Sequence, residues 1–388
     1  MSPRLRRPFA RVVEPRAAAL ALVACLASGC LSRAALHTVV LEYDETVSRS
    51  QAEMLLVNVA RARHGRPLHF TTVSGIAATF DFRTEASVGG ELAENPGISI
   101  LTPSLGFGVS EAPTISIVPI QGEEFTRRLL TPLDESILGF FYHQGVDADV
   151  LLPLVVHGLI VETDSGRRLL PNAHDADGGG EAFDRALRTV SELARAQRLE
   201  VGPLVFEESW PLASASAPAA ADLAGLVERG YDFRSSEEGG LLVRRVVGRQ
   251  VLTNYDPATL SNAERVEMQR RAQEYPSYFV YVDLRPGGGV EGLRGWIKLR
   301  SLTGILDAIA ASIVPPHDTG SGAPLRVLEA DGPVPESLFE VRYEHRRYAV
   351  PRDDAGRNAA AFGVLYRLYQ MTVAEVPGAA VPSVTIAK

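Results

Sequence analysis

Leu241-Leu-Val-Arg-Arg-Val-Val247 and Arg249-Gln-Val-Leu-Thr-Asn-Tyr255 read as strands, rich in β-branched residues. Ser261 to Gln273 follows as a charged helix, and Tyr278-Phe-Val-Tyr-Val-Asp-Leu284 as another strand. Two strands, a helix and a strand do not make the regular βαβ alternation of a parallel sheet. The order points instead to an α+β fold.

The same mixture extends C-terminally. Gly295 to Arg300 reads as extended. Ser301 can cap a helix running to Ile313. Leu338 to Val350 reads as a hairpin turning near Glu344-His345-Arg346, and Asn358 to Met371 as a helix that buries Phe362, Leu365, Tyr366 and Tyr369. N-terminally, Asp222 to Gly230 reads as a helix. Before it lies Pro211-Leu-Ala-Ser-Ala-Ser-Ala-Pro218, whose small residues cannot build a core and read as a linker.

The first half opens with a helix capped by Ser48 or Ser50, with a stripe of Ala52, Leu55, Leu56 and Val59. Gly65 and Pro67 stop it. Leu68 to Arg83, Ile98 to Val109 and Thr114 to Ile120 read as extended. Helices follow from Gly122 to Pro132, Glu135 to His143, Asp149 to His157 and Glu181 to Arg198, with a surface loop at Asp175 to Gly180.

The start of the chain carries an address. Arg4, Arg6, Arg7, Arg11 and Arg16 precede the apolar run Ala17 to Ala27, which is too short to span a membrane. Ala27-Ser28-Gly29-Cys30 resembles a bacterial lipobox. Cleavage before Cys30 would free its thiol for acylation, and two or three acyl chains anchor stably. Arg6-Arg7-Pro8-Phe9 also resembles a twin-arginine signal, which leaves the export route open. Leu31 after Cys30 fits outer-membrane sorting. Four segments are expected: a lipoprotein signal peptide (1–29), an N-terminal α+β domain (30–210), an Ala/Ser/Pro linker (211–221) and a C-terminal α+β domain (222–388).

The chain has 39 basic and 47 acidic residues, of which five Arg and one Glu lie in 1–29, leaving 34 against 46 and a net charge near −12. That balance argues against nucleic-acid partners. The second cysteine, Cys25, leaves with the signal, so neither a disulfide nor a thiolate metal site is expected.

Several pieces resemble a family of uncharacterised bacterial lipoproteins of the outer membrane. They are Gln51 to Asn58, Pro113-Thr114-Ile115 leading into Gly122-Glu123-Glu124-Phe125, Leu299-Arg300-Ser301 with Gly304-Ile305-Leu306, and the Val341 to Pro351 hairpin. The resemblance implies no activity and no functional residues.

Motifs for chemistry are weak. Asp318-Thr319-Gly320-Ser321 matches the aspartic-protease pattern, with Asp164-Ser165-Gly166 as a conceivable partner, but Asp318 follows no strand and Arg167 replaces the usual Ser or Thr. Gly287, Gly289 and Gly292 fit G-x-G-x-x-G, yet Trp296-Ile297-Lys298-Leu299 reads as a strand where a dinucleotide site needs a helix. His143 and His157 sit at expected helix ends, in structural places. No catalytic, metal or cofactor residues are assigned, and no cofactor is expected.

Three functions follow. The first is a lipid-anchored, non-catalytic interaction or assembly protein of the envelope, partnered by the membrane through Cys30 and by envelope proteins. The second is an anchored hydrolase acting on envelope polymers. The third is an oligomeric pore-like assembly using the Gly-rich 68–120 hairpin, whose alternation Glu91, Glu94 and Pro103 interrupt.

Overall fold

A computed structural model describes residues 41–90, 101–172, 179–212, 219–236, 239–316, 323 and 325–373. The fold is α+β. Cys30, Glu91, Glu94 and Asp318 lie outside the described residues. Contacts divide the chain into a unit at Met1–Met54 and a unit at Leu55–Lys388. Residues 41–63 are helical throughout (α1), so the helix already runs at Ser48 and Ser50, where the sequence placed its cap. Beyond Met54, Leu55, Leu56, Val59 and Ala60 are buried, as their spacing requires.

In the second unit, strands β1 (Phe70–Gly90) and β2 (Leu101–Ile120) form a two-stranded sheet of their own. Helices α2 (Glu123–Leu130), α3 (Glu135–His143) and α4 (Ala148–Val155) follow. The chain passes straight from α4 into β3 (Val156–Thr163), turns, and returns as β4 (Gly166–Pro171). The helix expected to reach His157 stops at Val155, because Val155 and Val156 begin a β-branched, apolar run that buries into a sheet. Then come α5 (Gly179–Arg195), β5 (Glu200–Leu212), α6 (Ala220–Glu228), β6 (Tyr231–Ser236) and β7 (Gly239–Thr253). The two strands expected at 241–255 are one, β7.

Ser261 caps α7 (Asn262–Ala272) in a capping box with Glu264, and Ser301 caps α8 (Leu302–Ala311). Between them run β8 (Phe279–Leu284) and β9 (Leu293–Leu299), joined as a hairpin whose loop holds Gly287 and Gly289 at positive φ. The G-x-G-x-x-G stretch is therefore turn chemistry. Strands β10 (Leu328–Ala330), β11 (Ser337–Tyr343) and β12 (Arg346–Pro351) form a small antiparallel sheet ahead of α9 (Arg357–Val373).

The main sheet runs β4-β3-β9-β8-β7-β5, with β6 beside the far part of β7. This corrects the division at 211–221. Strand β3 from before that segment pairs with β9 from after it, and β5 pairs with β7. Pro211 and Leu212 belong to β5, opposite Leu241 and Gly240. One core packs residues from both sides, with Leu204 against Val251, Met268, Phe279, Tyr281 and Trp296. The two expected domains share a sheet and a core.

Gly295 lies where β9 meets β3, and a Cβ there would fall on the backbone carbonyl of Ile160. Gly202, in β5, has open space around it. Gly295→Ala should lower unfolding stability by about 2–4 kcal/mol in urea titration, since strands must separate to admit the methyl group. Gly202→Ala should stay within about 0.5 kcal/mol of the parent.

Candidate functional site: a two-faced β-ribbon

The feature that stands apart is the β1–β2 ribbon. Its strands hold 21 and 20 residues in antiparallel register from Phe70↔Ile120 to Gly90↔Leu101. At about 3.3 Å per residue each strand is on the order of 65 Å long. Among the described residues no third strand pairs with it, and none of helices α2 to α9 packs along it.

Its root is fixed in the core. Phe70 is buried, stacked on Tyr369 of α9 (ring centroids 5.3 Å) and edge-to-face with Phe125 of α2 (5.7 Å). The side-chain amide of Asn58, fully buried, donates to His69 O and accepts from His69 N, both at 2.8 Å. That pair of bonds fixes the direction in which the chain leaves α1 and enters β1. Just beyond the root, Ile117 and Val118 are exposed.

One register shift, between Val73 and Gly75, inserts Ser74 as a bulge. Beyond it the two faces differ consistently. One carries the pairs Ile76↔Ile115, Ala78↔Pro113, Phe80↔Glu111, Phe82↔Val109, Thr84↔Phe107, Ala86↔Leu105 and Val88↔Pro103. The other carries Gly75↔Ser116, Ala77↔Thr114, Thr79↔Ala112, Asp81↔Ser110, Arg83↔Gly108, Glu85↔Gly106 and Ser87↔Ser104. The first face is apolar except at Glu111 and Thr84. The second is small and polar, with each charged residue opposite Gly or Ser. The sequence reading saw Pro103 as breaking the alternation. In register it pairs with Val88 on the apolar face, keeping the parity intact. The period-two pattern from Ile76 to Val88 is visible in sequence, but only the register shows that β2 matches it.

Several polar groups among the described residues make contacts within the body. Asp164 lies in the exposed β3–β4 turn. Arg167 bridges Glu162 and Glu274, with its guanidinium 4.4 Å from the Trp296 ring centroid. His143 ends α3 and bonds Val201 O at 2.7 Å, whereas His157 lies in β3, not at a helix end. Glu135 is buried against Arg249 at 2.6 Å; burial pushes its carboxyl above the usual range while Arg249 pulls it down. A groove of about 670 Å³ between α4, α5, β12 and α9 holds Arg195 paired with Asp149, and Asp353 accepting from the backbone of α9. Among the described residues no three His, Cys, Asp or Glu side chains gather as a metal site, and no helix is long and apolar enough to cross a membrane.

Comparison with protein-family models, with curated proteins and with solved structures finds no match.

Asn58→Ala should cost about 2–3 kcal/mol, because it empties a fully buried position and removes both hydrogen bonds to the His69 backbone, and calorimetry of the full chain would read it. Asp164→Asn, on an exposed turn, should change stability by no more than about 0.5 kcal/mol in the same measurement.

Proposed function

We propose that this chain is a lipid-anchored, non-catalytic assembly protein of the bacterial envelope, held at the outer membrane by acylated Cys30, whose copies join through the β1–β2 ribbon. The observation that supports the reading is the ribbon's isolation. A two-stranded hairpin is marginal in water, and three or more strands are needed for independent stability. This one has some twenty paired positions and, among the described residues, no neighbouring strand. Among the described residues no further strand pairs with either outer edge, and an open sheet edge is a template for another chain.

A second copy supplies the missing strands. Strand β2 of one copy beside β1 of the next is a head-to-tail contact, which repeats until it closes into a ring. The rigid root at Asn58, Phe70 and Phe125 holds the arm at a fixed angle to its own body, a condition for closure. The lipid anchor keeps copies in one plane and raises their local concentration.

Replacing residues 73–116 with a short turn tests the reading. The body should keep its thermal transition and stay membrane-bound through Cys30, while cross-linking in cells should no longer trap multimers. Multimers that persist without the ribbon would refute it. Adding Cys30→Ser to the ribbonless chain should release it to the soluble periplasmic fraction; retention at the membrane would reject the lipid anchor.

A further inference from the structure

We infer that the ribbon is a membrane-spanning strand pair, and that the ring of copies forms a β-barrel with bilayer hydrocarbon outside and water inside. The inference rests on the reading that copies join through the ribbon, and takes it further by naming what each face meets. Edge pairing alone would not require the two faces to differ. They do differ, over the whole length beyond the Ser74 bulge.

The apolar face from Ile76 to Val88 runs about 40 Å along the strand, at 3.3 Å per residue. Tilted by about 40°, as barrel strands are, it rises about 30 Å, matching the hydrocarbon core of a bilayer. A face built to pack on a second soluble sheet would have no reason to match that height. The opposite face suits a lumen. Asp81, Arg83 and Glu85 succeed one another along it, opposite Ser110, Gly108 and Gly106. Charges on that face cannot meet acyl chains and need water.

Glu111 is the one charged residue on the apolar face. It pairs with Phe80, four positions from Ile115 at the root end of that face. Tilt puts it roughly 10 Å inside the boundary of a core about 30 Å thick, about 5 Å from the midplane, a depth at which Glu costs less than Arg or Lys. Each copy adds two strands, so the barrel has an even strand number, as is usual for outer-membrane barrels. The barrel also satisfies every edge that the isolated ribbon leaves open.

The test uses the full-length acylated protein reconstituted in phospholipid bilayers. With Cys30 acylated and Cys25 removed with the signal, no thiol is left to confuse single-cysteine labelling. Cysteines at 77, 79, 81, 83, 85 and 87 should react with a charged, membrane-impermeant thiol reagent and change the conductance. Cysteines at 78, 80, 82, 84 and 86 should react at least about tenfold more slowly, because lipid covers them. Phe82→Asp should abolish conductance at least about tenfold more strongly than Thr79→Asp, while neither disturbs the thermal transition of the body. Multimers that form normally, conduct nothing and label equally on both faces would overturn the barrel and leave ribbon-mediated assembly standing. Absence of multimers would overturn both. Conductance that survives Phe82→Asp unchanged would place the pore elsewhere and reject this assignment of faces.

Discussion

At Gly295 the backbone of β9 presses so closely on the carbonyl of Ile160 that only hydrogen fits between them. That approach joins parts of the chain more than a hundred residues apart. On one flank of β9 lies β3, from before the central Ala/Ser/Pro stretch. On the other lies β8, from after it. The sheet is completed only when these partners meet, so its folding depends on long-range contacts formed late. Arg300, directly after β9, carries the junction onward. Its buried guanidinium donates to Pro153 O and Leu154 O at 2.9 and 3.0 Å, covering the carbonyl end of α4. Burial pushes that guanidinium down to about 10, still well above neutrality.

The body uses arginine at its seams. Arg249 binds Glu135 and three backbone carbonyls, tying α3 and β7 to the turn before β8. Arg167 and Arg271 tie the β3–β4 hairpin to α7 and the turn after it through Glu162 and Glu274. The planar five-donor fork suits such places, because one side chain can satisfy carbonyls on separate elements. The exposed pairs add little energy individually. Glu135 and Arg249 are different: each is buried only because the other is there, so the pair sets the docking angle of α3 more than the total stability. The ribbon root inherits this rigidity through α2, whose Phe125 meets Phe70.

Caps, turns and periodic faces were legible in the sequence. Ser261 with Glu264, Ser301, and the α3 span Glu135–His143 follow from local rules, and the hairpin turn at Glu344 and His345 appears with both residues at positive φ. Strand β5 was not legible. Pro203 and Pro211 argue against a central strand; β5 is an edge strand, and its register shifts beside Pro203. The start of strand β3 was hidden because it follows α4 with no turn residue between them, although Leu159-Ile160-Val161 reads as the apolar strand before Asp164. The shared sheet lay beyond any local rule, since pairing across Pro211–Pro218 leaves no trace in composition. The two faces of the ribbon were half legible: alternation shows on each strand, but matching the strands needs the Ser74 bulge.

The Ser74 bulge has a consequence for how the ribbon can vary. Below it, Phe70 and Thr72 share a face with Ile120 and Val118. Above it, that β2 face continues opposite Gly75 and Ala77, one step out of phase in β1. The extra residue is a phase shifter, and everything distal inherits its setting. A single-residue insertion or deletion within one strand would turn that strand's distal part over, setting greasy positions against wet ones. Length can drift without penalty only in matched steps, one residue on each strand, entering at the far turn. Divergent versions of this chain should therefore keep an odd count between Phe70 and Phe80 on the first strand while the ribbon's reach changes freely, much as a zip can gain teeth only in pairs.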